Sequence, residues 1–190
     1  VRCSTFAVAC LAVMAEAVKV VIRCRPLSKK ENRESRKPIV KIHKALQVVS
    51  IADPENAAAP PRDFTFDGVY GEDTVQADFY EESVYQLVEN ALEGFNATIF
   101  AYGQTGAGKT FTMLGLMDPP ELRGVIPMSF DHLFESIAAA PDDVTFLVQV
   151  AYLELYNEQI RDLIGLSAGT ASGAPLDLKE SPGKGVFVKG

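Results

Sequence analysis

The chain has 190 residues, 47% of them apolar and 23% charged, the ordinary composition of one soluble globular domain rather than of a disordered segment. Its 18 basic and 25 acidic side chains leave a formal charge of -7, which argues against a general nucleic-acid binder, because neutralising phosphates needs a cationic surface. The longest apolar run, residues 6–14, falls well short of the roughly 20 residues that cross a bilayer, so no transmembrane helix and no membrane partner are expected.

The average charge hides two opposite blocks. Residues 23–44 hold nine Lys or Arg against two Glu, and residues 53–93 hold eleven acids against Arg62 alone. Both read first as solvated surface, with a local partner contact as the minority reading of the basic block. Cys3, Cys10 and Cys24 have no C-x-x-C spacing and only His43 and His132 to join them, so neither a zinc site nor a disulfide scaffold is supported. Buried, inert thiols in a reducing compartment are the expectation.

At the N-terminus, Arg2, the apolar run and Ala15-Glu16-Ala17 imitate the parts of a secretory signal. Met14 is nevertheless a natural start, followed at once by a strand-like pattern. Residues 1–16 therefore read as an extension, disordered or foreign to the natural protein, and residues 17–190 as the domain. Residues 18–24 are rich in β-branched side chains and close on Arg25-Pro26, where proline removes a ladder donor, so a first strand is expected there. Two short β-like runs follow within residues 39–51, then a proline- and alanine-rich loop over 52–62. Phe64-Thr65-Phe66 alternates like a short strand before the turn at Asp67-Gly68. Residues 73–93 carry apolar side chains near a 3.6-residue period and end at Gly94, a suitable helix C-cap.

Residues 97–102 form an apolar run of the buried-strand kind, leading directly into a glycine loop. Past Pro119-Pro120, residues 126–139 resume as a helix with Phe130, Leu133, Phe134 and Ile137 on one face. Residues 144–156 read as a long strand, and Asn157 as the cap of a short helix holding Ile160, Leu163 and Ile164. A hairpin is expected from residues 176–179 and 185–188. Phe64, Phe66 and Phe100 are core by default, and His43 and His132 surface or satisfied groups. Strands alternating with helices give the α/β class.

The glycine loop is Gly103-Gln104-Thr105-Gly106-Ala107-Gly108-Lys109-Thr110, which fits G-x-x-x-x-G-K-[ST] at every position. Chance would produce that pattern in about one chain in a hundred of this length at average residue usage. Glycines let the backbone curl so that its N–H groups face phosphates, and the segment after the loop adds the positive end of a helix. Lys109 would then reach the β- and γ-phosphates as a point charge, and the Thr110 hydroxyl would bind Mg²⁺.

Taken alone, the loop indicates a nucleotide and no particular work. Its flanks are more specific. Residues 96–113, with Arg23-Cys24-Arg25-Pro26, residues 64–67, Arg123-Gly124-Val125-Ile126-Pro127 and residues 152–158, resemble in order the signatures of the kinesin motor domain over residues 17–190. The details look most like the kinesin-2 branch, particularly its homodimeric ciliary members. The resemblance implies a P-loop NTPase-type mixed sheet with helices on both faces, ATP and Mg²⁺ as cofactors, and microtubules as the partner. It also implies a cytoplasmic, cytoskeletal and ciliary setting, and a homodimer formed through coiled-coil regions outside this chain. By motif, Arg23, Arg25 and Pro26 would edge the adenine pocket, with Phe111 on the other side of the base. Without that company, Arg23 and Arg25 would read as surface charges at a strand end.

Residues 152–158 read as scaffold, a core strand and a capped helix. The family's switch motifs, N-x-x-S-S-R-S-H and D-L-A-G-S-E, are not in this sequence, so no catalytic residue is assigned. In that fold the strands bearing the switches flank the P-loop strand and come later in the chain. This chain therefore reads as the N-terminal half of the motor domain, with open apolar sheet edges. A non-catalytic nucleotide-binding fragment and an NTPase unrelated to motors are the alternatives.

Overall fold

The computed structural model describes residues 18–56, 58–164, 176–183 and 185–189. The extension over 1–16, with Cys3, Cys10 and the signal-like segment, lies outside them. The chain divides into two compact units, Val1–Ala139 and Ala140–Gly190.

In the first unit, β1 (Val21–Arg23) pairs in parallel with β5 (Gly68–Tyr70), Val21 opposite Gly68 and Arg23 opposite Tyr70. Asp67 fixes that register by accepting from the Val20 N–H at 2.7 Å through Oδ2 and donating its own N–H to the Val20 carbonyl at 3.0 Å. The chain between them forms α1 (Lys29–Arg33) and an antiparallel sheet of β2 (Val40–His43), β3 (Val48–Ile51) and β4 (Arg62–Thr65). The two β-like runs within 39–51 are thus real strands, turned by a 3-10 segment, Lys44–Leu46, and by Gln47 in the left-handed region. The Gly68–Tyr70 strand begins at the second residue of the expected Asp67-Gly68 turn and was not itself expected.

The periodic stretch 73–93 is helical, in two pieces, α2 (Gln76–Ser83) and α3 (Tyr85–Leu92), divided at Val84. Gly94 ends α3 with φ of 101°. Its N–H donates to Ala91 O and the next N–H, of Phe95, to Asn90 O, the paired bonds of a Schellman cap. Helix α4 (Lys109–Met113) leaves the glycine loop, and α5 (Val125–Ala138) follows a tight loop closed by the Gly115–Arg123 bridge. The core is small. Tyr70, Phe79, Tyr80, Val84 and Val125 are buried together, with Val21, Val88, Met113 and Met128 packed around them.

Several expectations are corrected here. Residues 97–102 join no strand ladder and are exposed, Phe100 at 76% and Tyr102 at 94%. An extended segment cannot satisfy its own N–H and C=O groups, and the unit's described strands are all paired with one another. The apolar edge anticipated from sequence is therefore open to solvent. Phe64 is exposed as well, because β4 is the outer strand of its sheet. Helix α5 buries Val125 and packs through Met128, while Phe130 and Phe134 on the predicted core face lie exposed.

In the second unit, residues 144–150 form no strand, and of the long strand expected over 144–156 only β6 (Leu153–Tyr156) forms, pairing antiparallel with β7 (Gln159–Asp162). Where a helix was expected from Asn157, Gln159–Asp162 is a strand, and helical backbone begins only at Leu163 and Ile164. Asn157 and Glu158 have φ of 49° and 62°, the two left-handed positions of a hairpin turn whose twist matches its strands. Residues 152–158 are thus a hairpin rather than a buried strand and a capped helix. β8 (Asp177–Ser181) and β9 (Gly185–Lys189) form the second expected hairpin. Among the described residues no helix is long and apolar enough to cross a membrane, and no group of His, Cys, Asp and Glu could hold a metal ion.

Two glycines separate backbone conformation from close approach. A Cβ at Gly94 would meet nothing within 4 Å, whereas one at Gly124 would lie 2.7 Å from backbone atoms of Met113 and Leu114. Gly94→Ala is expected to cost about 1 kcal/mol through its left-handed φ alone. Gly124→Ala must shift backbone and is expected to cost more, towards ~3 kcal/mol. Urea midpoints of the two variants check the order.

Candidate nucleotide site

The glycine loop owes its curl to backbone that other residues adopt at a cost. Gly103, Gly106 and Gly108 have φ of 153°, 81° and 97°. A Cβ on Gly103 would come within 3.0 Å of the Ala107 Cβ, so the first glycine is needed for space as well as conformation. Gly108 is the residue before α4, and its carbonyl accepts from the Thr112 N–H at 2.9 Å. Lys109 folds back over its own loop, its Nζ donating to Gly103 O at 2.7 Å and Gln104 O at 3.0 Å. Thr105 and Thr110 are exposed.

Arg25 braces this loop from outside. Its Nε donates to Gly106 O at 2.6 Å, and its two terminal nitrogens each donate to a Glu31 oxygen at 2.8 Å. Glu31 is itself held by a capping box. Its carboxylate accepts from the Ser28 N–H at 2.6 Å, and Ser28 Oγ accepts from the Glu31 N–H at 3.2 Å. The bidentate guanidinium, reinforced by the Ser28 N–H, pushes the Glu31 carboxyl well below the usual carboxylate range. The same hydrogen-bonded partner raises Arg25.

Arg23 is the more buried of the two arginines, and burial lowers its guanidinium from the ordinary value. Its guanidinium carbon lies 4.9 Å from the Phe79 ring centroid and 5.5 Å from that of Phe111. It donates to Gln76 Oε1 at 2.6 Å, Thr74 O at 3.0 Å and Thr112 Oγ1 at 3.2 Å. The Cys24 thiol between the arginines is pushed up by burial and by Glu72.

These elements enclose a cavity of about 320 Å³ whose lining includes Arg23, Arg25, Pro26, Ala107, Gly108 and Phe111. The residues assigned to an adenine pocket from scattered motifs thus share one space with the end of the glycine loop. Arg23 faces inward between aromatic rings, not outward as a lone strand-end charge would. Gln76, Thr74 and Glu31 were missed from sequence. Glu31 had a readable signal, the S-x-x-E spacing from Ser28, while Gln76 is an unremarked helix residue whose role appears only in three dimensions.

A family model described as the kinesin motor domain matches residues 23–190, and the chain belongs to that family. It is 47% identical over 178 residues to kinesin-like protein klp-20 of Caenorhabditis elegans, covering 92% of this chain and 26% of that protein. Kinesin-like protein KIF3C of Mus musculus is 47% identical over 175 residues, 92% of this chain and 21% of its own length. These relatives bear out a likeness to the kinesin-2 branch. Among solved structures, a fast kinesin superposes with a TM-score of 0.81 at 37% identity, over 92% of this chain and 47% of that one. That match bears out the α/β motor fold, of which this chain spans about half.

The depressed Glu31 carboxyl has a signed consequence. Its contribution to stability is fully present above the unfolded value, about 4.3, and is lost as pH falls through the lower folded value. Glu31→Gln should therefore be less stable than the parent at neutral pH, with the difference closing as the solution is acidified below about pH 4. Urea denaturation across a pH series measures it, and a gap that stays constant with pH would contradict the tie to Arg25.

Proposed function

We propose that this chain forms the ATP-binding part of a microtubule-based motor, with ATP hydrolysis and movement belonging to the complete protein. The observation that carries the reading is the single cavity that brings Arg23, Arg25, Pro26 and Phe111 against the glycine loop. The residues fit a nucleoside triphosphate. Pro26 and Phe111 supply faces for a planar base, and stacking tolerates base identity. The loop's left-handed glycines turn backbone N–H groups toward phosphate. The Lys109 ammonium, now held by two carbonyls, can exchange them for β- and γ-phosphate oxygens. The solvent-facing Thr110 hydroxyl would hold Mg²⁺, which would supply positive charge to offset that of the phosphates. Gln104, Thr105, Gly106, Ala107 and Gly108 would shape the cradle.

The microtubule partner, the cytoplasmic and cytoskeletal setting, and the homodimeric ciliary assignment rest on the family likeness. In the complete motor, the exposed run over residues 97–102 would gain its ladder partners from strands further along the polypeptide. A second reading is a nucleotide-binding fragment that binds without turnover.

Lys109→Ala is expected to weaken binding of a fluorescent ATP analogue about 10- to 100-fold, the worth of a charged phosphate contact, without changing far-UV circular dichroism. Undiminished affinity would remove the loop from the mechanism. Microtubule co-sedimentation and hydrolysis assays on the same preparation separate the readings. Binding without turnover favours the fragment or a truncated motor, and microtubule-stimulated turnover a working ATPase.

A further inference from the structure

Gln76, the first residue of α2, is 3% exposed, and both polar atoms of its side chain bond to other chain segments. Its Oε1 accepts from Arg23 at the end of β1 at 2.6 Å. Its Nε2 donates to Phe111 O in α4 at 2.8 Å and to Leu122 O in the following loop at 3.3 Å. One amide therefore joins the walls that supply Arg23, Phe111 and Leu122 to the cavity. Phe111 is 41% exposed, so packing alone does not fix its ring. The Arg23 guanidinium lies 5.5 Å from the ring centroid, and the backbone carbonyl of Phe111 is anchored by Gln76.

We propose that Gln76 is a positioning residue that sets the aromatic wall of the base pocket, acting on the base through Phe111 and Arg23 while leaving the phosphate cradle unaffected. This rests on the nucleotide reading above. The amide is required because it accepts from a guanidinium and donates to two carbonyls at once. A carboxylate of the same size keeps the first bond and sets one anionic oxygen, which cannot donate, against both Phe111 O and Leu122 O. Lys109, by contrast, bonds only within residues 103–104, and the Arg25 brace on Gly106 does not pass through Gln76.

The test uses Gln76→Glu in the full chain and two ligands, Mg²⁺-ATP and tripolyphosphate, which has the phosphates without the base. ATP affinity should fall about tenfold while tripolyphosphate stays within about twofold, as expected from losing hydrogen bonds on the base side alone. A parallel loss of both, or of neither, overturns the proposal. The sequence has no tryptophan, so Phe111→Trp gives a single indole on the wall itself. Adding Gln76→Glu in that background should raise acrylamide quenching of the indole, and unchanged quenching overturns the proposal whether or not nucleotide binds. If the parent chain binds neither ligand, the nucleotide reading fails and quenching alone decides the positioning role. Gln76→Met, similar in length and without polar atoms, replaces the glutamate in both measurements should that variant not fold.

Discussion

Core and site meet at the guanidinium of Arg23. It leaves the end of β1, lies beside Phe79 of the hydrophobic cluster on one side and Phe111 of the site on the other, and bonds to Thr74, Gln76 and Thr112. A charge at this depth persists only when its donors are satisfied, so its partners are held as firmly as it is. The Gln76 amide, the Thr112 hydroxyl and the Thr74 carbonyl accept from it, with an aromatic ring on either side. The geometry of the base pocket follows from how the core solves the problem of a half-buried arginine.

A second constraint, that extended backbone needs a neighbour, explains which strand-like sequences became strands. β1 finds β5 because Asp67 pins Val20, and β2 to β4 pair with one another, β2 and β3 through a tight turn and β3 and β4 through the longer connection from Ile51 to Arg62. Residues 97–102 have equally strong β character but join no ladder, so side chains such as Phe100 and Tyr102 face solvent. The same holds for residues 144–150. Exposed phenylalanines on α5 belong to the same pattern, a helix whose apolar circumference exceeds the small core it packs on. The chain spans 47% of the solved kinesin it superposes on, and the missing ladders are consistent with that coverage.

Electrostatics around the glycine loop is local rather than a matter of net charge. The formal charge of -7 would oppose an anionic ligand, yet the loop is bordered by Arg25 and Lys109. Glu31 pairs with Arg25 and so keeps it as a strut on the Gly106 carbonyl. A capping box, ordinarily a device for starting a helix, here also orients the arginine that braces the phosphate loop.

From sequence alone the glycine loop, its lysine and threonine, the first strand, the paired runs of residues 39–51, the cap at Gly94 and the C-terminal hairpin could be read. Each depends on interactions within a few residues, whose signature is a spacing or a residue type with a special φ. The family, too, was legible, because its motifs are contiguous. Tertiary structure alone decided the rest. Only folding brings Arg23, Pro26 and Phe111 to one cavity, makes Gln76 the tie between them, and turns residues 152–158 into an exposed hairpin. Burial, strand pairing and the choice of a helix's packed face depend on neighbours distant in sequence, and an apolar residue carries no local mark of whether such a neighbour is there.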